Sequence, residues 1–223
     1  MKVWFERREE LAPGIWQYYF RPERPVDFIP GQYADFHILQ PIRDPRGQAR
    51  VFSFTSLPTD ELVSFVAKFV APLSPYKQAL QALQPGNALR LDDAMGDLVL
   101  PKSPETPLVF IAGGIGIASF VSMFRQLLQT RQERPIFLFY ALRSRTEQIY
   151  QDVISAYPLQ LYSKTITPHR LTADEIIDAV PPQSLIYLSG SQSFVEGLCA
   201  DLLAAGVPHE QVILDYFDGY ADL

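Results

Sequence analysis

Residues 1–103 form a succession of short, apolar, β-favouring runs that are separated by turn-forming residues. The runs are Val3–Phe5, Ile15–Phe20, Tyr33–Leu39, Val51–Thr55, Leu62–Phe69 and Ala88–Leu91. Pro-Gly or Arg-Gly pairs stand at residues 13–14, 30–31, 46–47 and 85–86. This spacing predicts an antiparallel six-stranded barrel. One helix interrupts the strands, because a serine followed by a proline at residues 74–75 is a typical helix start.

The pattern changes after residue 103, where apolar strands alternate with helical stretches. The predicted strands are Leu108–Ala112, Ile136–Ala141, Leu159–Ser163, Leu185–Ser189 and Val212–Tyr216, with helices starting at Ile117, Thr146 and Ser193. This alternation predicts a doubly wound parallel sheet with helices on both faces. The proline-containing segment 102–107 separates the two patterns. We therefore predict two domains, one over residues 1–103 and one over residues 104–223.

The composition is that of a folded protein and argues against several functional classes. The 223 residues are 48% hydrophobic and carry a net charge of −6, which disfavours nucleic-acid binding. Residues 1–103 carry 12 basic and 12 acidic side chains, whereas residues 104–223 carry 7 and 13. The single cysteine, Cys199, cannot form a disulfide or a four-cysteine iron–sulfur site within the chain, and its apolar neighbours predict a buried thiol. The histidines show no spacing typical of a metal site.

Neither a membrane span nor a secretory leader is expected from the sequence. Residues 107–124 carry no charge, but three glycines interrupt them and the pattern is that of a strand followed by a helix. Residues 6–10 are strongly charged, unlike the apolar centre of a leader. We therefore expect a cytoplasmic protein.

A glycine-containing turn follows the first strand of the predicted parallel sheet. Leu108–Ala112 runs into Gly113, Gly114 and Gly116, and a helix follows. Free N–H groups and the positive end of a helix dipole at such a turn favour a diphosphate. A tight turn without a ligand would also use glycines, but ligands bind at this edge of open α/β sheets.

A second cluster, Arg50-Val51-Phe52-Ser53, lies in the predicted barrel. Arg50 supplies a fixed cation for a phosphate, and Phe52 supplies a flat face for a ring. Together with the glycine turn, this cluster indicates that two nucleotide cofactors meet in one protein.

Two arginines follow the second strand of the parallel sheet, where a doubly wound fold faces an adenosine ribose. Arg143 and Arg145 suit a 2′-phosphate, although they could equally be ordinary surface arginines. At the end of a later strand, Ser189 is expected either to contact a bound cofactor or to cap a helix. Its context is not that of a nucleophilic serine.

Several motifs, in order along the chain, resemble those of the ferredoxin–NADP reductase superfamily. Arg50–Ser53 resembles its Arg-x-Tyr-Ser flavin motif, residues 30–33 its barrel turn, residues 95–98 its Gly-Asp-Phe element, residues 112–117 its nicotinamide-domain turn, and residues 215–217 its C-terminal acidic-x-Phe. The resemblance runs from about residue 3 to residue 220. It implies an FAD-binding barrel followed by an NAD(P)-binding domain.

The resemblance also implies roles for particular residues. Arg50 would pair with the FAD diphosphate, Phe52 would stack on the isoalloxazine, and Ser53 would contact the flavin near N5. The other implied cofactor contacts are Val51, Lys68, Leu73 and Ser74 for FAD, and Gly113, Gly114, Gly116, Ile117, Arg143 and Arg145 for the dinucleotide. Ser53, Ser189 and Phe217 would lie nearest the reacting atoms. Phe52, Leu73, Ala118-Ser119 and Ser189 depart from the residues that are usual in the superfamily.

The function implied is that of an FAD-dependent NAD(P)H oxidoreductase that passes electrons to a separate acceptor protein, such as a ferredoxin or a flavodoxin. One alternative is an NAD(P)H:flavin reductase that uses flavin as a diffusing substrate. Another is a non-catalytic electron-transfer subunit of a larger complex.

Overall fold

The computed structural model describes residues 1–167 and 169–217. The first sheet contains β1 (Lys2–Ala12), β2 (Ile15–Pro22), β3 (Tyr33–Ile38), β4 (Ala49–Ser53), β5 (Val63–Lys68) and β6 (Ala88–Leu91). Its strands are antiparallel neighbours in the order β4-β3-β6-β1-β2-β5. Just beyond β4, the Thr55 amide donates to the Ser64 carbonyl of β5 at 2.8 Å. This contact joins the two edges of the sheet, and the predicted six-stranded barrel is confirmed.

Strand β1 continues well past the predicted run Val3–Phe5. Its second half is charged, but the charges pair with residues of β2: Glu6 accepts a hydrogen bond from Arg21 at 2.7 Å, and the Arg7 guanidinium lies 3.6 Å from the centre of the Tyr19 ring. Cross-strand pairs of this kind stabilise exposed strands. The apolar pattern therefore underestimated the length of the strand.

Helix α1 (Pro75–Gln81) covers one end of the barrel. The Tyr76 hydroxyl donates to the Phe36 carbonyl of β3 at 2.8 Å, and Leu80 is fully buried among the barrel's aromatic rings. The centre of the Phe52 ring lies 6.2 Å from that of Tyr76. The packing thus places β4 and its Arg50–Ser53 motif beside the start of α1.

The second sheet is parallel, in the order β11-β10-β7-β8-β9. Its elements are β7 (Leu108–Gly113), α2 (Ala118–Thr130), β8 (Ile136–Leu142), α3 (Gln151–Ala156), β9 (Leu161–Ile166), α4 (Ala173–Ile177), β10 (Leu185–Ser191), α5 (Gln192–Ala204) and β11 (Val212–Phe217). On one face Phe110 stacks on Phe120 of α2. On the other, Val109 joins α4 and α5 in a core that includes the buried Cys199. The predicted doubly wound fold is therefore confirmed.

Three details of the second sheet differ from the pattern-based prediction. Strand β9 lies two to three residues later than Leu159–Ser163. A helix from Thr146 forms only a 3₁₀ turn, Arg145–Glu147, because Gln148 is extended and Tyr150 has a φ of 58°; α3 follows. Helix α4 was missed, although Thr172 and Glu175 form a capping box that marks its start.

The two sheets are joined by a packed junction. The first sheet ends at Leu91 and the second begins at Leu108, and our domain boundary between residues 103 and 104 remains a prediction. Across the junction, the Gly31 amide donates to Ser122 Oγ at 2.9 Å and the Tyr150 hydroxyl donates to Gln17 at 3.2 Å. Among the described residues, no helix is both long and apolar enough to cross a membrane.

Candidate functional site

A cavity of about 470 Å³ lies at the carboxyl ends of β7, β8, β9 and β10. This edge is where open α/β sheets bind ligands. Its walls include Gly113 and Gly114 after β7, Arg143 after β8, Thr165 of β9 and, from the barrel, Lys68. The cavity therefore receives residues from both units.

Glycine stands at the three positions of the turn for different structural reasons. A Cβ at Gly116 would lie 2.2 Å from the Ser189 carbonyl oxygen, and one at Gly113 would lie 2.6 Å from the Phe194 ring. Packing within the fold alone therefore requires glycine at those two positions. Gly114 has a φ of +54° and open space beside its Cα. Among the three, it is Gly114 that leaves room for a ligand in the cavity wall.

The residues predicted to contact the dinucleotide do not all reach the cavity. Arg143 lines it, whereas Arg145 is not among the described residues that do. Ile117 is fully buried in the core, and Ile115 lines the cavity instead. Cofactor contacts for Arg145 and Ile117 therefore remain predictions that the shape of the cavity does not support.

The Arg50 guanidinium is folded against the loop between β3 and β4, residues 39–48. Nη1 donates to the carbonyl oxygens of Arg46 and Gly47, each at 3.2 Å. Nη2 lies 2.6 Å from Asp44 Oδ2, and only 1% of the Asp44 side chain is exposed. The contact is an ion pair without hydrogen-bond alignment, since Nη2 and Nε have no aligned acceptor in the described part of the chain. Part of the donor capacity of Arg50 is thus unused.

Phe52 and Val51 lie on opposite sides of β4. The half-buried Phe52 ring stacks on Phe65, with ring centres 4.0 Å apart and planes inclined by 12°. Val51 is 39% exposed. One face of Phe52 is therefore already packed, and stacking of its other face on a flavin remains a prediction.

The remaining barrel residues predicted to hold FAD lie around the start of α1. Ser74 caps this helix, with its Oγ accepting from the Lys77 amide at 3.3 Å. The neighbouring Leu73 is partly buried. Lys68 Nζ donates across the junction to Glu147 at 2.9 Å, so this lysine links the barrel to the cavity wall.

Four polar side chains form a buried network in the junction. Ser119 Oγ, on the first turn of α2, lies 3.0 Å from Ser53 Oγ and 3.1 Å from Ser189 Oγ. It donates to Asp215 Oδ2 at 2.6 Å, and Ser189 Oγ donates to the same oxygen at 3.2 Å. Ser119 and Ser189 are fully buried, and Ser53 is nearly so. The network brings together two of the residues predicted to lie at the reacting centre.

The last predicted residue of that centre is Phe217. It ends β11, where the backbone register pairs Ser189 with Asp215 and Ser191 with Phe217. The side chain of Phe217 lies outside the part of the chain that the structure describes.

Burial raises the pKa of the Asp215 carboxyl, and the hydrogen bonds from Ser119 and Ser189 only partly offset this. A raised folded-state pKa means that the folded protein binds this proton more tightly than the unfolded chain. The stability contributed by Asp215 is therefore lost as the pH rises from the unfolded value, about 4, through the folded one.

We expect Asp215→Asn, which keeps an acceptor oxygen without the charge, to raise Tm relative to the parent by more at pH 8 than at pH 4.5. Thermal unfolding at the two pH values measures this, with the exposed Asp152→Asn on α3 as the control. If the Tm of Asp215→Asn relative to the parent decreases as the pH rises from 4.5 to 8, the assignment is contradicted.

Comparison with known proteins agrees with this architecture. Residues 110–199 match the family described as the oxidoreductase NAD-binding domain. The chain is 25% identical over 213 residues to the ferredoxin–NAD(P)(+) reductase component of the Pseudomonas putida naphthalene 1,2-dioxygenase system. It is 29% identical over 213 residues to the Mycolicibacterium smegmatis propane 2-monooxygenase reductase component. It superposes on Plasmodium falciparum ferredoxin–NADP+ reductase with a TM-score of 0.81 at 16% identity, over 97% of this chain and 95% of that one. These findings support the resemblance of this chain to the ferredoxin–NADP reductase superfamily.

The alignments cover 88% and 86% of this chain, but the chain spans only 62% and 59% of the length of the two named relatives. Its own activity, substrates and partners are therefore proposed below.

Sequence reasoning did not identify three residues of the site. Ser119 was noted only as a departure from the family pattern, yet it is the centre of the buried network. Asp44 and Glu147 are the carboxylates paired with two of the barrel cations, Arg50 and Lys68. An acidic residue in a loop rich in proline and arginine gives no signal of which cation it will meet, because the pairing depends on how the loop folds.

Proposed function

We propose that this protein is an FAD-dependent NAD(P)H oxidoreductase that passes electrons from a reduced nicotinamide to a separate acceptor protein. The observation that carries the proposal is the buried contact between Ser53 of the barrel and Ser119 of the parallel-sheet unit, at 3.0 Å. This contact joins β4, which carries the Arg50–Ser53 motif, to α2, the helix that follows the glycine turn of the other unit. Two cofactors bound at these places would meet at the junction.

The barrel residues fit a flavin that carries phosphate. Arg50 has a buried Nε without an aligned acceptor among the described residues, and Lys77 and Lys68 lie close by. Burial, together with the charges of Arg46, Arg50 and Lys68, lowers the pKa of Lys77 to about 8. Positive charge is thus concentrated here, as an anion site requires.

The cavity fits the phosphates and ribose of a dinucleotide. It combines the open backbone at Gly114 with the hydroxyl groups of Thr165 and Ser191 and the guanidinium of Arg143. Backbone N–H groups at such a turn, together with arginine, are the usual phosphate ligands.

When bound, the nicotinamide and flavin would supply hydride and electron transfer, and the protein would supply orientation and electrostatics. With Asp215 ionised, the proton of Ser119 is donated to Asp215, so Ser53 can donate to Ser119 and present its own lone pairs outward. With Asp215 protonated, the chain of hydrogen bonds can reverse: Asp215 donates to Ser119, and Ser119 donates to Ser53. Ser53 can then donate its own proton to an atom outside the network. The network would in this way match the protonation of an atom placed against Ser53 Oγ.

The acceptor in this proposal is a ferredoxin or a flavodoxin, and the compartment is the cytoplasm. Support comes from relatives named as reductase components of oxygenase systems, one of them a ferredoxin–NAD(P)(+) reductase component. The single, buried cysteine also suits a reducing compartment.

Purification without added flavin, followed by dialysis and an absorbance spectrum, tests the cofactor part of the proposal. We expect retained flavin and NAD(P)H oxidation that depends on an added ferredoxin. Protein that oxidises NAD(P)H only when free flavin is supplied would instead support the second candidate, an NAD(P)H:flavin reductase. The Asp44–Arg50 pair favours that candidate, because it occupies a cation that a tightly bound FAD would use.

We expect a preference for NADPH, carried mainly by Arg143. Arg143→Ala should lower kcat/KM for NADPH by roughly tenfold, or about 1.4 kcal/mol, with little effect on NADH. Arg145→Ala is the matched control, because Arg145 is not among the described residues that line the cavity. Equal losses with both dinucleotides, or a larger loss in Arg145→Ala, would contradict this assignment.

A further inference from the structure

The loop between β3 and β4, residues 39–48, is mostly exposed but places one carboxylate in a buried position. Asp44 Oδ2 accepts from the Tyr76 amide at 3.0 Å and lies 2.6 Å from Arg50 Nη2. Asp44 Oδ1 accepts from the Arg46 amide at 3.0 Å. The carboxylate therefore has the contacts that a phosphate oxygen beside Arg50 would make.

The same loop also encloses the guanidinium from its backbone side. Carbonyl oxygens of Arg46 and Gly47 in the loop, and of Ala49 at the start of β4, accept from Arg50 Nη1. A diphosphate could not reach the cation through this loop unless the loop moved. Its ten residues lie outside the strands of the barrel, so the movement need not disturb the sheet.

The surrounding charge remains positive even with Asp44 in place. The hydrogen bonds to Asp44 and the Arg50 charge outweigh the effect of burial and hold the pKa of this carboxyl below its ordinary value, so it is anionic at neutral pH. The pKa of nearby Lys77 is nevertheless lowered by burial and by Arg46, Arg50 and Lys68. The two carboxylates paired with Arg50 and Lys68, Asp44 and Glu147, do not neutralise the four cations Arg46, Arg50, Lys68 and Lys77, and a ligand carrying two phosphates would match the site better.

We propose that Asp44 is an internal competitor for the diphosphate of the flavin ligand, and that loop 39–48 is a latch that opens when the diphosphate displaces Asp44 from Arg50. The inference rests on the proposed function for its ligand. Only molecules in which the latch is open can bind. The apparent affinity for phosphate-bearing flavin is therefore the intrinsic affinity multiplied by the fraction of molecules with an open latch. Asp44 thus determines whether this chain retains FAD or exchanges it.

Removal of the Asp44 charge tests the latch. Asp44→Asn should tighten FAD binding, measured by quenching of flavin fluorescence, by roughly tenfold or more, and leave the affinity for riboflavin unchanged. In the protein freed of flavin, inorganic pyrophosphate should raise the Tm of Asp44→Asn more than that of the parent. Glu6→Gln, which removes one charge from an exposed ion pair of the same barrel, is the matched control. Asp44→Ser repeats the test if the asparagine variant does not fold.

The outcomes separate the latch from the proposed function. Weaker or unchanged FAD and pyrophosphate binding in both Asp44 variants would overturn the latch, because Asp44 would then only orient Arg50. Equal tightening in Glu6→Gln would also overturn it, as an effect of overall charge. If no variant binds FAD or riboflavin, the proposed function fails, and the pyrophosphate measurement alone then decides for or against the latch.

Discussion

Replacement of Arg50 by alanine should weaken FAD binding by about one to two orders of magnitude. A hydrogen bond or ion pair to a charged group contributes roughly 1.5–3 kcal/mol, and each 1.4 kcal/mol is about tenfold in affinity. Arg50 forms an ion pair with Asp44 and has a buried donor without an aligned acceptor among the described residues. Titration of FAD, FMN and riboflavin measures the effect, and riboflavin, which has no phosphate, should lose little.

The Arg50 variant also needs a control for folding, because it leaves the Asp44 carboxylate buried without its cation. We expect the double variant Arg50→Ala, Asp44→Asn to recover most of the lost Tm without recovering FAD affinity. The exposed Arg24→Ala controls for overall charge. Equal FAD affinity in parent and Arg50→Ala, or a parallel loss for riboflavin, would contradict the role of Arg50.

Ser119→Ala should slow flavin reduction by roughly tenfold to a hundredfold while leaving dinucleotide affinity unchanged. The variant removes the hydroxyl that joins Ser53 to Asp215. Ser53 then has no described partner in the junction, and the Asp215 carboxylate loses its shortest hydrogen bond. Loss of a hydrogen bond to a charged group is worth roughly 1.5–3 kcal/mol, and hydride transfer is sensitive to small displacements of the groups that position it.

Anaerobic stopped-flow reduction at several NADPH concentrations separates the limiting rate from the affinity. Ser122→Ala is the matched control, since Ser122 is a buried serine on the same helix and accepts the Gly31 amide. Both variants should lose similar stability, but only Ser119→Ala should lose rate. A parent-like rate in Ser119→Ala would show that the network is purely structural.

The fold could be predicted from the sequence because its local signals agree with one another. Turn-forming pairs separate the barrel strands, and a continuous apolar strand leads into the glycine turn at Gly113 and Gly114. Errors arose where tertiary contacts override the pattern. The charged half of β1 remains a strand because Arg7 and Glu6 find partners on β2, and the helix expected at Thr146 is cut short by the extended backbone at Gln148.

The candidate site was only partly predictable. The motif order located Arg50 and Ser53 in one barrel strand, β4, and Ser189 near the end of β10. It did not reveal that Ile117 faces the core or that Asp44 and Glu147 pair with Arg50 and Lys68. These facts depend on side-chain direction and loop conformation, neither of which is encoded in hydrophobic spacing. Ser119 looked like a neutral departure because its partners, Ser53 and Asp215, are remote in sequence.

Anaerobic mixing of the FAD-loaded protein with NADPH and, separately, NADH tests the central claim most directly. The account predicts that the visible absorption band of the bound flavin bleaches with one equivalent of reduced nicotinamide per flavin, faster with NADPH than with NADH. It predicts that colour returns when an oxidised ferredoxin is added. Flavin that is bound but stays oxidised with both dinucleotides would contradict the claim that the two cofactor sites meet at the Ser53–Ser119 junction.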